Sequence, residues 1–533
     1  MGIPKIYKHG MKRELRLIDL TFAIVSGIIG SSWLLASQVA ANMAGPSAII
    51  SWVIGGVAIC LLALTYAELG SMLPEPGGSV RYPQYSHGSL VSFVIGWGAW
   101  LSWVTTPPAE AEAITQYANT YVHHLYNTQT GLLTFRGLLM SAVLTAAFAL
   151  INYYGVRLFA RVNTALTFFK FIVPALTAVL LIAAGFHKGN FSHYGGFFPH
   201  GIQATLMAIG SCGIIFALQG FRQAIELSGE ARNPQRDVAR ATVLGVAICV
   251  VIYIILQFAF IGALAPADII KGWGGLSMSA PFAQLAVALN LGWLAILLRV
   301  DAWVSPSGTG LVFTATTARG IFAMAENGYL PKGLMKIHPR WKIPANAILF
   351  NLIIGLLCLA PFSSWSKLIG FISVTGVISY LLGPVAASVL RRTAPDLPRP
   401  IRIGGLSLIA PLAFIVAGLI VYWTGWPSTL YALGAVVAGL LIYFYYFFRG
   451  SFEVRHVRSG IWLMVYLVAI IFCSYIGDKS FGGKGLLKFP GDTLVVAALS
   501  IAAYYWGVLT GYETGDIKEV VDETAPSGAH ALS

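Results

Sequence analysis

Ionisable side chains are scarce in this chain. Asp, Glu, Lys and Arg together make up 10% of the 533 residues, and only 21 of them are acidic. Soluble globular chains carry about a quarter charged residues, so there are too few here to cover a water-facing surface of this size. Cysteine is as sparse. Cys60, Cys212, Cys249, Cys358 and Cys473 fall inside apolar runs with no CxxC spacing, which excludes a disulfide framework and a thiolate metal centre. The ten histidines lie at run ends or in loops, and no HExxH or GxSxG occurs. No metal site, catalytic residue or cofactor is therefore expected, and enzyme chemistry loses its usual signatures.

What is abundant is apolar. Hydrophobic residues make up 57% of the chain, and the mean hydropathy is +0.75. A hydrocarbon core about 30 Å thick needs about 17–25 apolar residues per helical crossing. Runs of that kind begin at 17–41, 47–72 and 91–118 and continue through 158–184, 204–226 and 291–325 to 492–512, fourteen in all. The first run is long and lacks a small-residue cleavage site, so it is expected to stay as a span rather than to be a removed signal. An even count puts both ends on one side. Under that threading, 24 of the 34 Lys and Arg residues fall on the side of the termini, 7 on the other and 3 within spans. The positive-inside rule then nominates the cytoplasm for both ends and the plasma (inner) membrane as the location. Orientation and anionic lipid account for the +13 net charge without a nucleic-acid partner. The polar, acidic segment 513–533 reads as a disordered tail.

Two apolar spans are interrupted by glycine at corresponding places. Gly27-Ile28-Ile29-Gly30-Ser31-Ser32 opens one block of spans and Gly210-Ser211-Cys212-Gly213-Ile214-Ile215 the next. Paired broken helices place unwound backbone near the bilayer midplane, where free N–H and C=O groups can hold a small zwitterion. This predicts a small-solute carrier, the alternative being that the glycines serve only close packing. Lys170, 12 residues into its span, lies about 18 Å deep. A charge at that depth usually faces a cavity on an ion or proton pathway, the alternative being a side chain that snorkels to the cytoplasmic edge. Glu110 and Glu112, just after the helix-breaking Pro107-Pro108 in the outer half of the third span, are candidates to meet Arg299 across an outer vestibule as a gate or as readers of substrate charge, with ordinary solvation as the alternative. Asp301, two residues from Arg299, points to another helix face and needs a different partner. Ser305 and Ser307, flanking Pro306, could approach Lys170 or bond their own backbone. Arg222 and Glu226, one turn apart, form a plain helix-supporting pair.

Ordered motifs over about residues 15–402 carry a family resemblance. They are Ala44-Gly45-Pro46, Tyr66-Ala67-Glu68-Leu69, Pro74-Glu75-Pro76-Gly77-Gly78, Asn152-Tyr153-Tyr154-Gly155-Val156, Gly229-Glu230-Ala231-Arg232-Asn233-Pro234 and Asn327-Gly328-Tyr329-Leu330-Pro331. Together they resemble the amino acid–polyamine–organocation permeases. Within that family, Gly30-Ser31-Ser32-Trp33, Tyr82-Pro83-Gln84-Tyr85-Ser86-His87-Gly88 and Leu291-Gly292-Trp293-Leu294-Ala295 are most similar to the bacterial aspartate:proton symporter branch. The resemblance implies an all-α integral membrane protein with two inverted five-helix repeats of the leucine-transporter type plus four C-terminal helices, fourteen in total. The expected divisions are an N-terminal segment 1–16, a transport core 17–402, helices 403–512 and the tail 513–533. It implies substrate binding at Gly27, Ile28, Gly30, Ser31 and Ser32 in the first break and at Phe216, Ala217, Leu218 and Gly220 in the second. The opening N–H groups of the first would take a carboxylate and the carbonyls of the second an ammonium, with Phe216 as a lid. It also implies that the Lys170 ammonium stands in for the cation of sodium-coupled members, with Ser305 and Ser307 beside it.

The chain thus reads as a proton-coupled permease for an amino acid, acidic by first choice and neutral by second, working by alternating access. A receptor or channel on the same scaffold is the competing class. Substrate and membrane lipid are the implied partners, and no oligomeric state is indicated.

Overall fold

The computed structural model describes residues 14–524 apart from 75–77, 155, 229–230, 342 and 451. Its helices, in chain order, are α1 Leu17–Ile28, α2 Ser32–Ala44, α3 Ala48–Met72, α4 Gly78–His87, α5 Ser89–Ala118, α6 Phe135–Tyr154 and α7 Val156–Ala184. They continue as α8 Gly201–Ser211, α9 Ile214–Leu218, α10 Gln223–Glu226, α11 Pro234–Ala263, α12 Pro266–Ile269, α13 Pro281–Ala288 and α14 Gly292–Glu326. The remainder are α15 Ala345–Leu359, α16 Trp365–Tyr380, α17 Leu382–Thr393, α18 Leu406–Trp423, α19 Ser428–Phe448, α20 Val454–Ile476, α21 Gly491–Thr510 and α22 Gly515–Thr524. The one small sheet among the described residues is a hairpin pairing Tyr126 with Leu133 and Asn127 with Leu132.

Apolar residues on every face bury a helix at the centre of the bundle; a one-sided apolar face leaves it at the rim. The most apolar stretch of α16–α17 is wholly buried and that of α5 is 89% buried, against 33% for α6 and 28% each for α19 and α21. On those outer helices the exposed residues are Leu139, Val143, Leu150, Leu441, Leu494 and Leu509, a surface suited to lipid. Nine described helices are long and apolar enough to cross a membrane, ten if the bent pair α8–α9 counts as one. Fewer than the expected fourteen are counted: α1, the stretch Phe168–Ala184 of α7 and α15 are shorter than a crossing, and α14 carries Arg299, Asp301 and Arg319 within its 35 residues.

Both described ends gather at one face. Leu15 bridges Ala231, and the Tyr512 N–H donates to the Ser86 carbonyl at 3.0 Å. At this face Glu68, buried at the end of α3, accepts both arms of Arg391 at 2.7 and 2.6 Å and the Ile403 N–H at 2.9 Å. A buried carboxylate with that many donors ties α3 to α17. The Arg81–Glu326 pair joins α4 to the end of α14 at 3.6 Å.

Two local expectations are corrected. Part of the tail is folded: Thr514 bonds the Tyr85 carbonyl at 3.1 Å, Asp516 accepts from Gln84 at 3.0 Å, and α22 buries Ile517 and Val520. An amphipathic turn with two apolar anchors gains enough burial to dock despite its acidity. Pro107 and Pro108 do not break α5, which runs unbroken across them while the Thr105 and Thr106 hydroxyls bond back to Leu101 and Ser102. Arg222 donates to Ser379 Oγ at 3.0 Å and lies over the rings of Tyr380 and Trp103, at 4.5 and 4.8 Å. The Glu226 side chain and the motif residues 75–77, 155 and 229–230 lie outside the described residues.

Candidate functional site

Gly30 and Gly213 are where the chain departs from helix. The first break spans Ile29–Ser31 between α1 and α2. The second, at Cys212-Gly213, bends α8 from the helix that follows by 42°, with Gly213 at φ +88°, a conformation that favours glycine. The two interrupted segments touch. A Cβ on Gly220 would sit 2.5 Å from Gly27 C and Ile28 N, so only glycine lets the turn after α9 lie against the first break.

Around the first break the polar contacts are dense. The Ser31 N–H, at the opening of α2, donates to Glu110 Oε2 at 2.8 Å. The Ser31 hydroxyl accepts from Trp365 Nε1 at 2.8 Å. The Ser32 hydroxyl pairs with the Tyr253 hydroxyl at 2.8 Å, and Tyr253 also donates to the Ile28 carbonyl at 3.1 Å. Lys170 Nζ donates to the Ser26 carbonyl at 2.7 Å and to Thr309 Oγ1 at 3.0 Å. Lys170, Glu110 and Asp301 are each 0% exposed, so Lys170 faces the bundle and does not snorkel.

Gly30 lies at the centre of this group. A Cβ there would meet Glu110 Oε1 at 2.7 Å and Thr309 Oγ1 at 2.8 Å. Glu110 Oε1 itself has no hydrogen-bond partner among the described residues. Lys170, Thr309, Gly30 and Glu110 therefore form one contiguous string. The Lys170 ammonium bridges a carbonyl of the last turns of α1 and a hydroxyl of α14, a donor-poor setting of the kind that holds a small cation at a broken helix. On the other side of the same break, Glu110 occupies the Ser31 N–H, one of the groups that the family resemblance implies are free for a carboxylate.

Asp301 accepts from Trp33 Nε1 at 2.9 Å and from Ser305 Oγ at 2.8 Å, so α2 is fastened to α14. Phe216 packs edge-on against Trp365, centroids 6.2 Å apart, and so stands over the ring that holds Ser31. Ala217, Leu218 and Gly220 are buried beside it.

The structure brings together Gly27, Ile28, Gly30, Ser31, Ser32, Phe216, Gly220 and Lys170, and separates others. Ser305 binds Asp301 instead of Lys170. Ser307, half-buried, lies two residues off the row Asp301–Ser305–Thr309, whose spacing of four keeps one helix face; Thr309 takes the role expected of the serines. Neither glutamate meets Arg299. Glu110 is turned to the break, Glu112 is buried with neither oxygen bonded among the described residues, and Arg299 is exposed on the far rim. The continuity of α5 through its prolines is the reason, since it rotates Glu110 inward. Thr309 was findable as the next rung of the four-residue row; Tyr253 and Trp365 carry no signal of their role in sequence.

The amino acid permease family model matches residues 15–472. The glutamate/serine transporter AimA of Bacillus subtilis is 43% identical over 516 residues, covering 96% of each chain. The aspartate-proton symporter of the same organism is 36% identical over 507 residues, covering 94% of this chain and 97% of that one. Its branched-chain amino acid permease BcaP is 26% identical over 452 residues, covering 82% and 94%.

Proposed function

The chain belongs to the amino acid permease family, and from that premise we propose that it is a secondary active transporter moving an acidic amino acid together with a proton. The carrying observation is the Glu110 carboxylate on the Ser31 N–H, one glycine away from the Lys170–Thr309 contact. Glu110 and Asp301 with Lys170 sum to a charge of −1 when all three are ionised. A proton on Glu110 makes the cluster neutral and loosens its hold on Ser31. The N–H at the head of α2 is then available to the substrate carboxylate, with the positive end of that half-helix behind it. The ammonium group of the substrate faces the carbonyls of Phe216, Ala217 and Leu218. Loss of the proton returns Glu110 to Ser31 and expels the carboxylate, which ties substrate movement to proton movement. Lys170 keeps α1, α7 and α14 joined through the cycle.

The same reading carries fourteen crossings, two inverted repeats within a core of 17–402, helices 403–512 outside it, and both ends in the cytoplasm of a plasma membrane. It is supported by the paired breaks and by the gathering of both described ends at one face. The 43% relative named for glutamate and serine favours one second reading, a site that also accepts a small neutral amino acid.

The test is uptake of labelled aspartate, glutamate and serine into liposomes holding the purified chain, with and without an inward proton gradient. Gradient-stimulated uptake of an acidic amino acid is expected, with Glu110→Gln taking up substrate equally in both conditions. Uptake of serine alone would move the substrate to the second reading. Gradient-stimulated uptake intact in Lys170→Ala would mean that the joint Lys170 makes between α1, α7 and α14 is not needed for coupling.

A further inference from the structure

On the face opposite the chain ends lies an open cavity of about 550 Å³. Its walls are Asn119 and His123 after α5, Ser279 and Gln284 around α13, the apolar end of α13 at Ala288, and Arg299 from the first turns of α14. Arg299 is ten residues before Thr309, about 15 Å along the helix axis, so the cavity is separate from the first break. Asp301 points inward to Trp33 while Arg299 points outward, and among the described residues Arg299 has no carboxylate partner. A guanidinium at the rim of a concave volume, with a His and a Gln among its walls and no acidic wall, suits an anion of two or more oxygens. The volume is in the range of small-ligand sites. Arg299 also shares its side of α14 with Ile296 and Trp303, which are 62% and 39% exposed, so the cavity opens next to a surface suited to lipid.

We propose that this cavity binds an oxyanion, a carboxylate or phosphate, through Arg299. The source is a dissolved solute or the headgroup of an anionic lipid. The position gives binding a consequence. Phe282, on the opposite side of α13 from the cavity, stacks on Trp33 with centroids 5.7 Å apart, and Trp33 is the residue bonded to Asp301. An occupant therefore bears on the helix that closes over the start of α2.

The cavity is read directly, without any transport measurement, by placing a reporter in it. An Ala288→Cys chain in phosphatidylcholine nanodiscs is labelled with an uncharged, membrane-impermeant maleimide, and labelling of the parent chain is subtracted. Inorganic phosphate or aspartate is added to the bath in one arm. In the other, part of the lipid is replaced by phosphatidylglycerol. Labelling several-fold slower with the bath anions assigns a dissolved oxyanion, and slowing with phosphatidylglycerol alone assigns a lipid headgroup. In either case Arg299→Gln in the same chain is expected to restore the fast rate and Arg299→Lys to keep most of the slowing. Unchanged labelling in both arms, or equal slowing with Arg299→Gln, would overturn the proposal.

Discussion

The two helix breaks are built from opposite materials. At the first, nearly every contact is polar: Glu110, Lys170, Thr309, Trp365 and Tyr253 all bond residues 26–32 or one another. At the second, a Cβ on Gly213 would meet Ile369 and Trp365 at 3.0 Å and Ala36 at 3.5 Å, a wall of carbon. Glycine serves both, but for different reasons. At Gly30 it leaves room for charged side chains to converge; at Gly213 it supplies a left-handed backbone that lets the chain bend against packed neighbours. The first break gathers the buried ionisable groups, and the second bends the chain so that Phe216 packs on the Trp365 that holds Ser31.

That division can be broken most sharply at Lys170. Lys170→Ala leaves the buried Ser26 carbonyl and Thr309 hydroxyl without the ammonium that joins α1 to α14, and a hydrogen bond to a charged group is worth about 1.5–3 kcal/mol. Gradient-driven accumulation in liposomes is expected to vanish. Glu110→Gln is expected to act more selectively: uptake persists but becomes flat with external pH, because the amide can neither release nor take up a proton. A pH profile still sloping in that variant would place the titrating group elsewhere. Gly30→Ala comes next. Its methyl would press on Glu110 Oε1 and Thr309 Oγ1 at under 3 Å, and overpacking of this kind costs about 1–3 kcal/mol. Substrate affinity, measured by equilibrium binding, should fall with it.

Much of this was legible before the coordinates. Glycine in corresponding spans marks unwound backbone whatever surrounds it, and a lysine at the middle of an apolar run has to face inward, so both breaks and Lys170 follow from local chemistry. The partners did not. Ser31 and Glu110 are 79 residues apart and Lys170 and Thr309 139 apart, and no short-range periodicity encodes which helices meet. By sequence Glu110 belongs to the outer half of the third span, just after paired prolines that ordinarily interrupt a helix. In α5 the threonines before them and the helices packed around it keep the helix whole. The folded start of the tail was hidden for a similar reason: its composition is that of a solvated segment, and only the groove beside α4 rewards Ile517 and Val520.

The smallest effect expected is at Gly213, and it sharpens the comparison because it should leave the chemistry alone. With φ at +88°, Gly213→Ala is strained by about 1–2 kcal/mol; its methyl also needs Ile369 and Trp365 to yield by a few tenths of an ångström. The penalty falls on the bend between α8 and α9, which meets the first break only through Trp365, the donor to the Ser31 hydroxyl. Melting temperature and turnover should therefore drop modestly while the ratio of uptake with and without a proton gradient stays that of the parent chain. A variant that instead lost its gradient dependence would mean that the second break takes part in proton coupling, and the separation of hinge from chemistry would fail.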